Sequence, residues 1–327
     1  MRRISVILAV ACVLGVGAAT VEADKESWEF TGVDEIRLDG VSGDLIIRPA
    51  TGNKIVLELR SDVHPSENFR GEVDQSGSTV RIDEDWSGSN SSGDVEWTLF
   101  LPNGANGVSV EMSTASGDID CAEVALQLDF ESASGDVKLD DVELADRSEF
   151  STASGDIMLS DMTVERHTKF STASGDVELS DLKIEDECSF STASGDVSVE
   201  GCTAGDDVDF SSASGDVEVR RVQLEGESRF SSASGDVSVV LDKLPKHDLV
   251  ASSASGDVDF KAGAYGDDFK LVLVKRKDKG RISCPFKYTK EDEYEDHHVY
   301  EVKIVERGKG APEIKLKTAS GKVTVKD

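Results

Sequence analysis

The sequence predicts an all-β protein: a single-chain parallel β-helix of about 20 residues per coil, with right-handed winding the expected hand. Three observations predict it. The first is a recurring unit. Residues 150–169 read FSTASGDIMLSDMTVERHTK, and FSTASGDVELSDLKIEDECS, FSTASGDVSVEGCTAGDDVD and FSSASGDVEVRRVQLEGESR follow. Phe130, Phe150, Phe170, Phe190, Phe210 and Phe230 keep a strict spacing, and so do Gly135, Gly155, Gly175, Gly195, Gly215 and Gly235, each followed by Asp. A fixed period of this size marks a stacked array whose single units cannot bury their apolar faces alone. The second observation is alternation. Phe150, Thr152, Ile157, Leu159, Met162 and Val164 form one set, interleaved with Ser151, Ala153, Asp156, Met158, Ser160 and Thr163, with a phase change near Asp161. A period of two signals strands with one buried face. The third is punctuation. Ser-Gly-Asp divides each unit, and none of the six Pro falls between Phe130 and Phe230. The triplet predicts a tight corner in which Gly takes positive φ and Ser or Asp bonds to nearby backbone.

Each unit is thus one coil of two or three short strands, paired in parallel with its neighbours about 4.8 Å away. Phe stacks on Phe, Val or Ile on its own kind, and Leu or Val likewise. Burying one Phe contributes roughly 1.5–3 kcal/mol. Ordering twenty residues costs more, so a lone coil is unfolded and only the array is stable.

Taken in order, the chain starts with a segment set apart. Residues 1–23 carry Arg2 and Arg3, the apolar run ISVILAVACVLGVGAA and a small-residue boundary at Val21-Glu22-Ala23 or Gly17-Ala18-Ala19. This pattern is that of a secretory signal peptide, with an apolar core shorter than a membrane span. Cys12 offers a lipoprotein alternative, set against by Ala9 three places upstream and by the apolar run continuing past Cys12; a retained anchor is the third reading. Cleavage after residue 23 removes Arg2, Arg3 and Glu22 and leaves a net charge of −31. No later apolar run is long enough to span a membrane.

Residues 24–112 read as N-terminal strands and irregular first coils, with Gly43-Asp44 resembling the later corner and Ser87–Gly93 a flexible loop. Residues 113–262 are the regular coils. Residues 263–327 read as irregular C-terminal coils and a cap: FKLVLVKRKDKGRI is basic and alternating, EDEYEDHH at 291–298 reads as an acidic loop, and EIKLKTASGKVTVKD restores the repeat with Lys322 in place of Asp. The exposed end of a β-helix needs protection against edge pairing, and these Lys-rich strands would supply it. The whole of 24–327 reads as one continuous domain.

The opening VDEIRLDGVSGDLIIRP, the LFLPNG before the regular coils, the Ser-Gly-Asp repeat and the closing EIKLKTASGKVTV resemble the bacterial putative-adhesin β-solenoid family. That resemblance covers nearly the whole chain after residue 23. It implies an exported or envelope β-solenoid and carries over no site residues.

The chain is 31% charged with a formal net charge of −30, which speaks against nucleic acid and anionic membranes as partners and favours cations or basic partners. The Asp of each corner forms an outward row, and adjacent carboxylates repel by about 1 kcal/mol in water. Two things could offset this. One is local bonding to stacked Ser hydroxyls and corner N–H groups. The other is a row of cations such as calcium on Asp156, Asp176, Asp196 and Asp216. The denser glycine pattern of calcium-binding β-rolls is absent, so no cofactor is required.

No catalytic constellation stands out. His64, His167, His247, His297 and His298 lie in no motif with a nucleophile. The repeated Ser151, Ser171, Ser191, Ser211 and Ser231 have no base fixed beside them by spacing, as a nucleophile needs. The run Glu291-Asp292-Glu293-Glu295-Asp296-His297-His298 reads as a solvated loop before it reads as a metal site. Cys121, Cys188 and Cys202 read as small buried hydrophobes; a Cys188–Cys202 bond stays open, although the two occupy different places around the coil. Two functional classes remain: a structural or adhesin-like envelope protein contacting a surface, a glycan, a protein or another copy of itself, and a periplasmic binding or signalling module. A polysaccharide-active β-helix enzyme is the third and least supported. Export to the periplasm or cell surface suits all three.

Overall fold

The computed structural model describes residues 24–327 except 89, 90, 103–106 and 267. The expected signal peptide, residues 1–23, lies outside the described residues, as does part of the loop expected at Ser87–Gly93. The described chain is all strand apart from one 3-10 turn, Ser66–Asn68. Among the described residues no helix is long and apolar enough to cross a membrane.

The fold is a parallel β-solenoid, and each regular coil has three faces. The coil at 149–164 shows them: Glu149–Thr152 on the first face, Ile157–Ser160 on the second and the two-residue Thr163–Val164 on the third. Each strand pairs in parallel, and in unbroken register, with its counterpart one coil on: Phe150 with Phe170, Ile157 with Val177, Val164 with Ile184. Alternation decides which side chains go in. Phe150, Thr152, Ile157, Leu159, Met162 and Val164 are all buried. The Phe column runs from Leu38 through Met112 and Phe130 to Phe230, then Ala251, Leu316 and Leu273. From Phe150 to Phe230 the rings stack nearly parallel with centroids 4.5–5.3 Å apart. Where the column narrows to Ala251, the second-face column of the same coil widens to Phe260. Volume is thereby conserved within that coil, as close packing requires.

The three corners differ in kind, and one expectation is overturned. The glycines of Ser-Gly-Asp are outside the left-handed region. They are required by a close approach instead. A Cβ on Gly155 would stand 1.9 Å from the carbonyl oxygen of Gly135, and one on Gly195 2.0 Å from that of Gly175. Left-handed backbone falls at the other two corners. Asp141, Asp161, Asp181 and Arg221 have φ of 51–55° between the second and third faces. Arg147, His167, Glu187 and Asp207 have φ of 53–68° at the return to the first face. Asp and His are among the non-glycine residues that tolerate this conformation best. The phase change at Asp161 is this left-handed turn.

Spatial order departs from chain order at both ends. Glu35–Asp39 and Asp44–Pro49 form a coil that lies directly against Ser109–Thr114 and Ile119–Ala122. The intervening chain folds outside it: Thr79–Trp86 and Val95–Leu101 pair in parallel on that coil, and Phe69–Ser76, Ile55–Ser61 and Asp24–Phe30 close the edge in antiparallel pairing. The C-terminal end mirrors this. Glu313–Thr318 and Lys322–Lys326 sit on the last regular coil, and Phe269–Arg276 and Arg281–Ser283 lie beyond them. The Lys-rich Glu313–Thr318 is therefore an inner strand and not the end protection expected of it. Antiparallel strands His298–Arg307 and Lys290–Asp296 cover the outer edge. Residues 291–296 are consequently strand, correcting the expected acidic loop, because Tyr294 pairs with and stacks on Tyr300.

One residue terminates the stack at its N-terminal end. The first Gly-Asp corner, at Gly43, has no earlier coil to lean on. The Glu84 carboxylate stands there, accepting the N–H groups of Val41, Ser42 and Gly43 at 2.8, 3.2 and 3.3 Å and the indole N–H groups of Trp97 and Trp86 at 2.9 and 3.2 Å. No repeat pattern marks Glu84 in the sequence.

Candidate interaction surface

The corner between the first and second faces is built from two hydrogen-bond ladders. Inside, Thr152 Oγ1 donates to the carbonyl of Gly135 at 3.0 Å and accepts the N–H of Gly155 at 3.1 Å. Thr172, Thr192, Ser212, Ser232, Ser253 and Thr318 repeat the arrangement. Each buried hydroxyl is thus fully used, which removes the penalty of burying it. Outside, Oδ1 of each corner Asp accepts the backbone N–H of the next corner Asp. The bonds run unbroken from Asp44 through Asp118, Asp136, Asp156, Asp176, Asp196, Asp216 and Asp236 to Asp257 at 2.7–2.9 Å, and Asp257 accepts from the N–H of Lys322. The donors are backbone amides and not the Ser hydroxyls expected from the sequence. Asp156, Asp176, Asp196 and Asp216 are held in the middle of this row. Lys322 departs from the repeat at the end of the row, where its ammonium stands 3.7 Å from Asp257.

Beside the Asp row, Ser151, Ser171, Ser191 and Ser211 form a half-buried column, and Ala153 and Ser154 with their repeats form exposed ones. Identical side chains recur at the coil spacing of about 4.8 Å, giving a flat lattice of hydroxyl, methyl and carboxylate groups. A shallow groove of 420 Å³ follows the Asp row between Asp176 and Asp257, with Glu178 and Glu218 on its other wall. A second groove, of 720 Å³, follows the left-handed corner and is lined by Glu123, Asp141, Asp161 and Asp181, with Val142 and Met162 on its floor. This second acidic row carries no Gly signal. The readable signal was the phase change at Asp161.

The other candidates are dispersed. His167 bridges coils: Nδ1 lies 2.9 Å from Asp146 Oδ1 and Nε2 2.7 Å from Glu187 Oε2. The hydrogen bond from His167 holds the Asp146 carboxyl below the usual carboxylate range. On the C-terminal hairpin Asp292 pairs with Lys290, Glu291 with Lys303 and Glu293 with Lys277. Among the described residues, no three His, Cys, Asp or Glu side chains converge as a metal-holding group. Cys121, Cys188, Cys202 and Cys284 are free thiols. Burial pushes Cys188 and Cys202 up to about 11 and Cys121 up to about 12, so all three are thiols and not thiolates at neutral pH. Asp209 is the one carboxylate with a buried oxygen that lacks a partner, and burial raises its pKa.

A family model, Toastrack DUF4097, matches residues 33–270. None of the curated proteins matches the sequence. Among solved structures, the chain is similar to a protein of Bacteroides fragilis described as a "putative adhesin", at 13% identity over 94% of this chain and 97% of that one, with a TM-score of 0.40. It is similar to a "putative lipid binding protein" of Parabacteroides distasonis at 13% identity over 94% and 98%, with a TM-score of 0.39. A "putative adhesin" of the same organism aligns at 12% identity over 93% and 97%, with a TM-score of 0.37.

Proposed function

Because this chain belongs to the Toastrack DUF4097 family, we propose that it is an exported, non-catalytic β-solenoid of the cell envelope. In this reading it is structural or adhesin-like and contacts a surface, a glycan or a protein partner through its repeated faces. The observation that carries the reading is the lattice beside the Asp row. The same small hydroxyl, methyl and carboxylate groups recur coil after coil on a frame held by two unbroken hydrogen-bond ladders. Such a face suits an extended, repetitive partner met at many weak points, where linked contacts add avidity. Catalysis needs instead one asymmetric set of groups with assigned roles, and repetition offers the same groups at each coil. The Arg2-Arg3 start and short apolar run support export.

Protease shaving of intact host cells, followed by fractionation, tests the proposal. The expected result is loss of the protein from intact cells. Protection until the outer envelope is opened would point instead to a periplasmic binding or signalling module. Recovery from the cytosol with Met1 in place would sink export altogether.

A further inference from the structure

Opposite charges are segregated along this rod. Residues 269–327 carry 15 Lys and Arg against 10 Asp and Glu, whereas residues 113–262 carry 11 against 34. Much of the basic end is internally neutralised: Lys270 pairs with Glu313 at 2.6 Å, Lys275 with Glu301 at 2.9 Å and Lys277 with Glu293 at 2.8 Å. Lys279, Arg281, Lys287 and Lys309 are different. All four are exposed. Among the described residues they make no ion pair. They belong to the segment that ends the stack, where Gly280 lies against Gly321 and Arg281 pairs with Lys322. The other unneutralised array is the acidic groove at the left-handed corner. Glu123, Asp141, Asp161 and Asp181 line it, and among the described residues they also make no ion pair.

The two arrays cannot meet within one molecule. The second-face ladder from Val177 to the terminal coil passes through Val197, Val217, Val237, Val258 and Val323 to Ile282. At about 4.8 Å per step the cations stand roughly 29 Å or more along the axis from the groove, on a frame with no hinge between them. We propose that the basic terminal coil of one copy docks in the acidic groove of a second copy, with Lys279, Arg281, Lys287 and Lys309 facing Glu123, Asp141, Asp161 and Asp181. The contact joins two different surfaces, so it is heterologous and builds open, end-to-flank assemblies instead of a closed dimer. A second copy is the occupant because it brings the complementary array by construction. An extended anionic surface would repel the rest of a rod whose net charge is −30, whereas the groove exposes only the charges that the cap neutralises. Exposed charges govern the contact, so salt screens it, with a Debye length near 10 Å at 0.1 M.

Sedimentation velocity of the purified exported protein, across a concentration series in low and high salt, tests this. A cap variant carries K279E, R281E, K287E and K309E; a groove variant carries D141R, D161R and D181R. Arg221 already occupies the equivalent left-handed corner with φ 53°, so Arg is compatible with the turn, and circular dichroism checks both folds. The parent is expected to associate in low salt and to dissociate in high salt. Each variant alone should associate at least tenfold more weakly than the parent. An equimolar mixture of the two variants should associate again, because the acidic cap then fits the basic groove. A parent that stays monomeric in low salt, a variant that associates like the parent, or a mixture that fails to recover overturns the proposal. So does a monomeric parent that binds phosphatidylglycerol vesicles through the same four cations, which would assign the cap to an anionic surface.

Discussion

A Cβ built on Gly195 would stand 2.0 Å from the carbonyl oxygen of Gly175 and 2.6 Å from Oδ1 of Asp176, although Gly195 itself lies outside the left-handed region. Steric exclusion and torsional demand therefore separate into different residues, and substitution reads them apart. Gly195→Val should destabilise by more than about 2 kcal/mol, because backbone of the previous coil must move. Gly201→Ala, at φ 72°, should cost about 1 kcal/mol, chiefly torsional. Glu178→Val, on an exposed outward position, should be nearly neutral. Denaturant midpoints of the three variants give the comparison; equal losses for Gly195→Val and Glu178→Val would remove the case for the close approach. Asp209 offers a test of opposite sign. Burial raises its pKa in the folded protein, so its ionised form opposes folding, and stability is recovered as pH falls through that raised value. Ser189 occupies the same place one coil earlier. Asp209→Ser should stabilise by up to about 1 kcal/mol at neutral pH, with the gain vanishing below the normal Asp range near pH 4. Melting curves at pH 7 and pH 3 check it, and an equal gain at both would show that charge is not the cause.

At the scale of the coil, register is the controlling variable. Phe150, Phe170 and Phe190 pair one to one across adjacent coils, so removing residues 171–190 should leave a shorter, folded protein in which every column closes up. Removing 171–180 alone sets Phe positions against corners and should unfold the array. Urea titrations of both deletions decide between them, and equal stability would count against stacking by coils. The regular coils were legible because each inward position repeats: strict Phe spacing and period-two alternation name Thr152, Leu159 and Val164 as interior residues before any coordinates. The ends were not legible, because nothing in a linear pattern says that Glu313–Thr318 slips between Leu249–Ser253 and Phe269–Arg276. The Gly corner was placed correctly and explained wrongly, since Ser-Gly-Asp suits a positive-φ turn as well as a crowded one. Of the interaction surface, the Asp row was visible and its amide donors were not; the second acidic row at Asp141, Asp161 and Asp181 was visible only as a break in alternation. Glu84 went unread because a cap acts once. Glu84→Ala would leave five N–H donors without their carboxylate and should cost about 2–3 kcal/mol, while Glu84→Gln, keeping an acceptor oxygen, should lose less. Thermal melts of the pair test the capping role.

For the molecule as a whole, the unresolved contest is between the repulsion of a long carboxylate row and the bonds that hold it. Each corner Asp from Asp44 to Asp257 uses Oδ1 to accept an amide N–H one coil on, so the row contributes a local, short-range stabilisation at every coil. Charge-assisted bonds of this kind are stronger than neutral ones, and their donors do not move with ionic strength. Repulsion along the row is long-range and is screened by salt, with a Debye length near 10 Å at 0.1 M. The two contributions separate on replacing Asp156, Asp176, Asp196 and Asp216 together by Asn. Asn keeps an oxygen where Oδ1 accepts the amide, and it removes four charges. If the row is a structural ladder, the variant stays folded, its melting temperature depends less on salt than the parent's, and calcium and magnesium at matched ionic strength raise the parent's melting temperature alike. A saturable stabilisation of the parent by calcium alone, lost in the Asn variant, would make the remaining Oδ2 atoms a cation-binding face and the ladder its scaffold. The same measurement bears on the solenoid's length. Each added coil brings one more amide bond and one more like charge, and only the second of these accumulates over distance.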